Sequence, residues 1–251
     1  MILDEILRKT EKRVAHLPDS FPESTGPEKA SLAAAIRNRN ETNAIIAEIK
    51  CASPSRGIIR RNVDMAMMAG VLVEGGCVAL SVLTEPYFFG GSGQDIGRVK
   101  NAVSLPVLRK DFIIDERQIA ESRALGADAV LLIASILKTR LPDFVDTVIA
   151  YGLEPLVEVR SKAEAEEALS TKTTLVGINN RDLSTLTIDR SMTRLIAGQV
   201  QRDGRLIVSE SGMQSADDIR EMKHYCDAFL IGSAIMSHSR PREKLEEFVC
   251  A

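Results

Sequence analysis

Eight short apolar runs punctuate the chain at roughly 20–35-residue intervals, the spacing expected of strands in βα units. They are IIAEIK (45–50), VALSVLTE (78–85), PVLRKDF (106–112), AVLLIAS (129–135), LEPLVEV (153–159), TLVGINN (174–180), RLIVSES (205–211) and AFLIGS (228–233). Each is β-branched or Leu-rich and largely apolar at consecutive positions, the pattern of a parallel strand covered on both faces. Helical periodicity separates many of them, as at 114–125, 142–151, 161–169 and 215–224. Strands alternating with helices in this number predict an α/β fold, a (β/α)8 TIM barrel with its chemistry at the carboxyl ends of the strands. At 251 residues without a linker, one domain is expected: a helical extension over 1–44 and the barrel over 45–251. Within the extension, 2–17 and 29–38 read as helices joined by a loop at 18–27. That segment either plugs the bottom of the barrel or folds over its mouth.

The strand ends are rich in polar groups. Glu48 and Lys50 stand two apart and share a face of the first strand, either as a structural ion pair or as working groups at the mouth. Lys110 ends the third strand, with Asp111 facing the other way. Two lysines converging on one mouth are expected to lower each other's pKa, as a general acid near neutral pH requires. Glu158 lies inward among aliphatic residues, which would raise its pKa and suit it to proton transfer, or it is a structural partner for Arg160 or Lys110. Asn179, Asn180 and Arg181 follow the sixth strand and offer amides and a guanidinium for hydroxyls and an anion. Glu210, Ser211 and Gly212 end the seventh strand, and Gly232 and Ser233 the eighth. Gly-containing turns leading into helices at those two positions predict a phosphate cradle. Ser215 reads as the N-cap of the helix after the first of them. Aromatic residues are only 4% of the chain, so Tyr87, Phe88, Phe89 and Phe112 beside strand ends suggest a ring-binding pocket or simple packing.

Composition narrows the chemistry. With 45% hydrophobic residues the chain can build a large core, and a dispersed net charge of −3 gives no footprint for nucleic acid. No apolar run approaches bilayer length, and the charged amphipathic start does not read as a signal peptide, so no membrane role is expected. Four cysteines without CxxC spacing fit a reducing cytoplasm. The three histidines sit away from the strand ends, and no P-loop or GxGxxG is present. The expected chemistry runs on carboxylates, amines and amides, with no metal or cofactor.

Taken together, IIAEIKCASPSRG, ALSVLTE, VLRKDFIID, GADAVLLIASIL, LVEV, GINNRDL, VSESGM and FLIGSAIM resemble, in order, the indole-3-glycerol phosphate synthase family of tryptophan biosynthesis. The resemblance implies ring closure of 1-(2-carboxyphenylamino)-1-deoxyribulose 5-phosphate with loss of carbon dioxide and water. It implies that Lys110 is the general acid on the ketose carbonyl and that Glu158 stabilises the iminium. Glu48 and Lys50 would manage dehydration, with Lys50 near the phosphate or carboxylate. Asn179 and Arg181 would hold hydroxyls and the anionic end, and Glu210 would be a further site carboxylate. Ser211, Gly212, Gly232 and Ser233 would cradle the phosphate, and Ser53 would lie near the anthraniloyl carboxylate. Phe89, Phe112 and Leu132 would form the ring pocket. Cys51 and the Pro86–Phe88 loop depart from the family pattern. The resemblance leaves open a monomer or an association with other tryptophan-pathway enzymes.

Two rival readings stand beside it. A sugar-phosphate isomerase barrel, such as phosphoribosylanthranilate isomerase, needs no pair of strand-end lysines. A degenerate scaffold barrel predicts losses at the catalytic positions. Two substitutions carry expectations: Lys110→Met abolishes turnover with the fold nearly untouched, and Gly232→Val mainly raises KM.

Overall fold

The structure is a computed structural model that describes residues 2–22, 29–39, 41–201 and 203–251. Eight parallel strands close into a barrel: β1 (Ala44–Ile49), β2 (Ala79–Leu83), β3 (Val107–Lys110), β4 (Ala129–Ile133), β5 (Glu154–Val159), β6 (Leu175–Asn179), β7 (Leu206–Glu210) and β8 (Ala228–Ile231). Each pairs with its successor, and β8 returns to β1 through Ala228↔Ala44 to Ile231↔Ala47. All eight apolar runs became strands. Thr84, Glu85, Asp111 and Phe112, read as strand residues, leave the sheet and enter the mouth loops.

Ten helices pack around or between the strands: α3 (Met65–Glu74), α4 (Gln94–Ala102), α5 (Glu116–Leu125), α6 (Ala134–Leu137), α7 (Leu141–Ala150), α8 (Lys162–Leu169), α9 (Ser191–Gln201), α10 (Ala216–Met222), α11 (Ser233–Met236) and α12 (Pro241–Val249). Side chains fix several starts. Asp115 and Gln118 form a capping box on α5, Ser161 accepts from the Glu164 N–H on α8, and Ser215 with Asp218 boxes α10. A short antiparallel hairpin, Ala52–Ser53 with Gly57–Ile58, follows β1 at the mouth.

Strand alternation sorts the core into two layers. Ile45, Ala47, Leu80, Val130, Leu132, Val157, Ile178 and Ile207 point outward and pack against the helices. Ile46, Leu108, Leu131, Leu156, Leu175, Val208 and Leu230 point inward and fill the barrel.

The N-terminal segment divides the two expected placements between two helices. The shorter, α2 (Leu32–Arg37), closes the bottom: Leu32, Ala33 and Ile36 join the interior cluster, and the Leu32 and Ala33 N–H groups donate to the Glu154 carboxylate at the start of β5. The longer, α1 (Ile2–Val14), lies over the mouth, where Arg13 donates to Asp111 beyond the end of β3 (2.8 Å). Residues 23–27 of the expected loop at 18–27 lie outside the described residues. Among the described residues no helix is long and apolar enough to cross a membrane.

Candidate active site

Inward parity at the carboxyl ends of five strands brings Glu48, Lys110, Glu158, Asn179 and Glu210 into one pocket, although they span most of the chain. Lys110 is the hub. Its Nζ donates to Glu210 Oε2 at 2.6 Å and to Glu158 Oε2 at 3.3 Å. Asn179 Nδ2 donates to the other Glu158 oxygen at 3.0 Å, and its Oδ1 accepts from the Arg181 N–H at 2.9 Å. Lys50, one residue past β1, pairs with Glu48 Oε1 at 2.5 Å. Glu48, Glu158 and Glu210 are all buried.

This geometry corrects the expectation that the two lysines depress one another. Burial pulls the Lys110 pKa down, but Glu210, Glu158 and Glu48 together outweigh it and hold the ammonium above its ordinary range, so a proton-donor role for Lys110 rests on its position and not on a lowered pKa. Of the two readings of Glu158 the structure takes the partnership with Lys110, and Asn179 binds its other oxygen in place of an apolar surround. The carboxyl lifted by its surroundings is that of Glu210. Burial pushes it up to about 7, with Glu158 and Glu48 reinforcing and Lys110 opposing. Its Oε1 is buried and has no hydrogen-bond partner among the described residues. Gly177 on β6 makes the room, because a Cβ there would run into that oxygen.

A carboxyl so raised takes up a proton as pH falls through about 7, and the Lys110–Glu210 pair is then lost. Turnover should therefore fall on the acid side with an apparent pKa near 7, and Glu210→Gln should remove that limb from the pH profile. A wild-type limb near the ordinary carboxylate value of about 4 would contradict this assignment.

The rim carries the predicted anion groups. Ser53, Arg181, Ser211, Gly212, Gly232 and Ser233 all line the pocket. Ser53 Oγ is buried and without a partner among the described residues, and Arg181 reaches the hairpin at Ser55 Oγ (3.5 Å). Burial lowers the Arg181 pKa, and the neighbouring Arg56 lowers it further. Gly232 has a second duty that the sequence did not reveal. A Cβ at this position would come within 2.9 Å of the Glu48 Cβ and collide with its carboxylate. Gly232→Val should then lower kcat as well as raise KM, because it displaces the partner of Lys50. Steady-state kinetics showing a change in KM alone would mean that Glu48 yields without consequence.

The opposite wall is apolar. Phe89 and Phe112 face the pocket with ring centroids 6.2 Å apart, and Leu83, Leu131 and Ile133 join them. Leu132 does not. It pairs with Val157 in the sheet and points outward into the helix layer, so its neighbours Leu131 and Ile133 take the pocket positions. A strand apolar at every position carries no mark of which parity faces inward. Tyr87 and Phe88 lie under the Lys9 ammonium of α1, and the exposed Tyr87 does not line the pocket.

Several contributors had no role assigned from the sequence. Ile2, Leu3 and Ile6 of α1 close the pocket from above, and Leu183, Leu186, Met213 and Gln214 come from the loops after β6 and β7. Buried Glu85 accepts the N–H groups of Tyr87, Phe88 and Phe89 (2.7–3.1 Å), which sets the turn that presents Phe89. An acidic residue directly before a proline turn was the available signal.

Comparison with known proteins places the chain. The family model for indole-3-glycerol phosphate synthase matches residues 3–248. An indole-3-glycerol phosphate synthase of Halalkalibacterium halodurans is 40% identical, covering 98% of this chain and 95% of its own. That of Methanocaldococcus jannaschii is 43% identical over 88% of this chain and 84% of its own. Among solved structures, a tryptophan synthase chain from M. tuberculosis superposes with a TM-score of 0.64 at 14% identity, covering 88% of this chain and 98% of that one. A thiamine phosphate pyrophosphorylase from Pyrococcus furiosus gives 0.60 at 19% identity, covering 84% and 95%. The two structural likenesses share the barrel fold. With a family model spanning nearly its whole length and relatives at this identity, the chain belongs to the indole-3-glycerol phosphate synthase family.

Proposed function

We propose that this pocket closes the indole ring of 1-(2-carboxyphenylamino)-1-deoxyribulose 5-phosphate, releasing carbon dioxide and water, as a carboxy-lyase. One observation carries the assignment of roles: a buried ammonium, Lys110, stands between two carboxylates and faces an aromatic wall. The carboxylate-bearing ring carbon attacks the ketose carbonyl, and Lys110 delivers a proton to the oxygen. Glu158 stabilises the iminium that forms on the ring nitrogen. Carbon dioxide leaves and aromaticity returns. The resulting hydroxyl then departs as water, with Lys50 as its proton donor and Glu48 as the base that removes the ring-side proton.

Binding follows from the same residues. The Ser211–Gly212 and Gly232–Ser233 turns hold the phosphate with Lys50, while Ser53 and Arg181 hold the carboxylate. Phe89, Phe112, Leu131 and Ile133 take the ring. An apolar wall beside the carboxylate favours its loss, since the diffuse charge formed later needs water less. The substrate is a small molecule, and the cytoplasm is the compartment that suits the unpaired thiols.

Incubation with the carboxyphenylamino substrate, followed by indole fluorescence, tests the proposal. A rise that depends on enzyme concentration is the expected result. Folded protein that gives no signal would refute it in favour of an isomerase or scaffold barrel.

A further inference from the structure

Asn180 has no place in the pocket, yet its hydrogen bonds converge on one wall of it. The residue is fully buried and points away from the barrel axis, opposite in parity to Asn179. Its Nδ2 donates to the Ser211 carbonyl at 3.1 Å and to Ser209 Oγ at 3.2 Å. Its Oδ1 accepts from the Thr193 N–H at 3.2 Å and from Thr193 Oγ1 at 2.9 Å. Its main chain donates to the Glu210 carbonyl (3.0 Å) and accepts from the Asp189 N–H (2.8 Å). One amide thus ties together β6, the end of β7, α9 and the loop ahead of α9.

Two features of Ser211 give this clamp a consequence. Ser211 is held at φ +64°, a left-handed conformation that a non-glycine residue adopts at a cost. Its carbonyl also shares a planar trans peptide with the Gly212 N–H, so the two must point in opposite directions. Gripping the carbonyl from the outer layer turns the Gly212 N–H toward the pocket that Gly212 lines. Among the described residues no protein acceptor takes that N–H. Behind Gly212, a Cβ would press on Ile188 and Arg190 at 3.0 and 3.1 Å, and Asp189 between them is the residue bonded to the Asn180 carbonyl.

We infer that Asn180 is a positioning residue for phosphate binding: it locks the Ser211–Gly212 peptide in the left-handed, inward-donating orientation. The inference rests on the reading that this turn holds the substrate's phosphate.

The test uses inorganic phosphate as a competitive inhibitor of the full-length enzyme. Asn180→Ala should raise KM and weaken phosphate inhibition, each about tenfold, while kcat stays within about threefold. Adding Ser211→Gly to Asn180→Ala makes the left-handed turn free of strain, so it should recover a good part of the phosphate affinity. If Asn180→Ala does not fold, Thr193→Val loosens the same amide and should shift KM and phosphate inhibition in the same direction. Unchanged phosphate inhibition and KM in a folded variant, against an inhibited wild type, would overturn the inference alone. A wild type that turns over substrate but is not inhibited by phosphate would remove the cradle reading and the inference with it.

Discussion

Lys110→Met should reduce turnover by about a thousandfold, within the range seen when a general acid is removed. The loss should fall on kcat, because the residues proposed to hold the phosphate and the ring line other parts of the pocket. The fold should not be untouched, as the sequence alone suggested. Without the ammonium, Glu158 and Glu210 remain buried as unpaired like charges, and breaking a buried pair costs about 3–5 kcal/mol. That cost depends on pH in a definite direction. Burial already raises the Glu210 pKa to about 7 against the opposing Lys110, and without Lys110 it rises further, so the carboxyl takes a proton as pH falls and part of the penalty disappears. Lys110→Met should therefore unfold more easily than wild type at pH 8, and the gap should narrow toward pH 6. Lys110→Arg separates the two effects. A guanidinium restores the positive charge but does not give up its proton, so stability should return while turnover stays low. Activity close to wild type in Lys110→Arg would end the general-acid role.

Asp111→Ala should cost about 3–5 kcal/mol and lower Tm by roughly 10 °C, although Asp111 takes no part in the proposed chemistry. Its carboxylate is buried between two guanidiniums, Arg13 at 2.8 Å and Arg109 at 3.1 Å, and also accepts from Thr84 Oγ1 (2.7 Å) and the Phe112 N–H (2.8 Å). Removing it leaves Arg109, itself almost wholly buried, with only Glu121 at 2.7 Å as an ionic partner among the described residues. Burial alone would raise the Asp111 pKa, but the two arginines and the hydrogen bonds outweigh it and hold the value below the ordinary one. A carboxyl depressed in the folded state contributes its full stability above its unfolded pKa. That contribution drains away as pH falls through the lower, folded value. The stability gap between wild type and Asp111→Ala should thus shrink in acid. Arg13→Met should cost only about 1 kcal/mol, since Arg13 is partly exposed and Asp111 keeps Arg109. It should raise KM, because Ile2, Leu3 and Ile6 ride on the helix that Arg13 anchors. Thermal unfolding in which Asp111→Ala lies within 1 °C of wild type would contradict this account of the mouth.

Periodicity carried the architecture. Parallel strands covered on both faces need uninterrupted apolar runs, and these were visible at every strand. Polar residues breaking those runs, such as Glu48, Glu158 and Glu210, also marked the inward parity at the strand ends, because charge on the outer face would have met the helix layer. Arg109 is the instructive exception: it does face the helices, satisfied there by Gln118, Ser122 and Glu121. Parity was illegible where nothing polar broke the run: the resemblance implied Leu132 for the ring pocket, and nothing in that strand's sequence marked Leu131 and Ile133 as the inward-facing residues. Electrostatic sign was illegible for another reason. It depends on which charges end up nearest in space: a Glu158–Lys110 pair was one reading of the strand ends, but strand order alone could not show that Glu210 joins it while Lys50 stays with Glu48. The placement of α1 and α2 at opposite ends rests on Arg13 meeting Asp111 and Glu154 meeting the start of α2, contacts about 100 residues or more apart in sequence.

A crystal structure with a reduced substrate analogue, its carbonyl replaced by a hydroxyl, tests the central claim most directly. The account predicts the Lys110 ammonium within hydrogen-bond distance of that hydroxyl, the aromatic ring against Phe89 and Phe112, and Lys50 still beside Glu48. Finding Lys50 on the hydroxyl, with Lys110 turned away between its two glutamates, would contradict it.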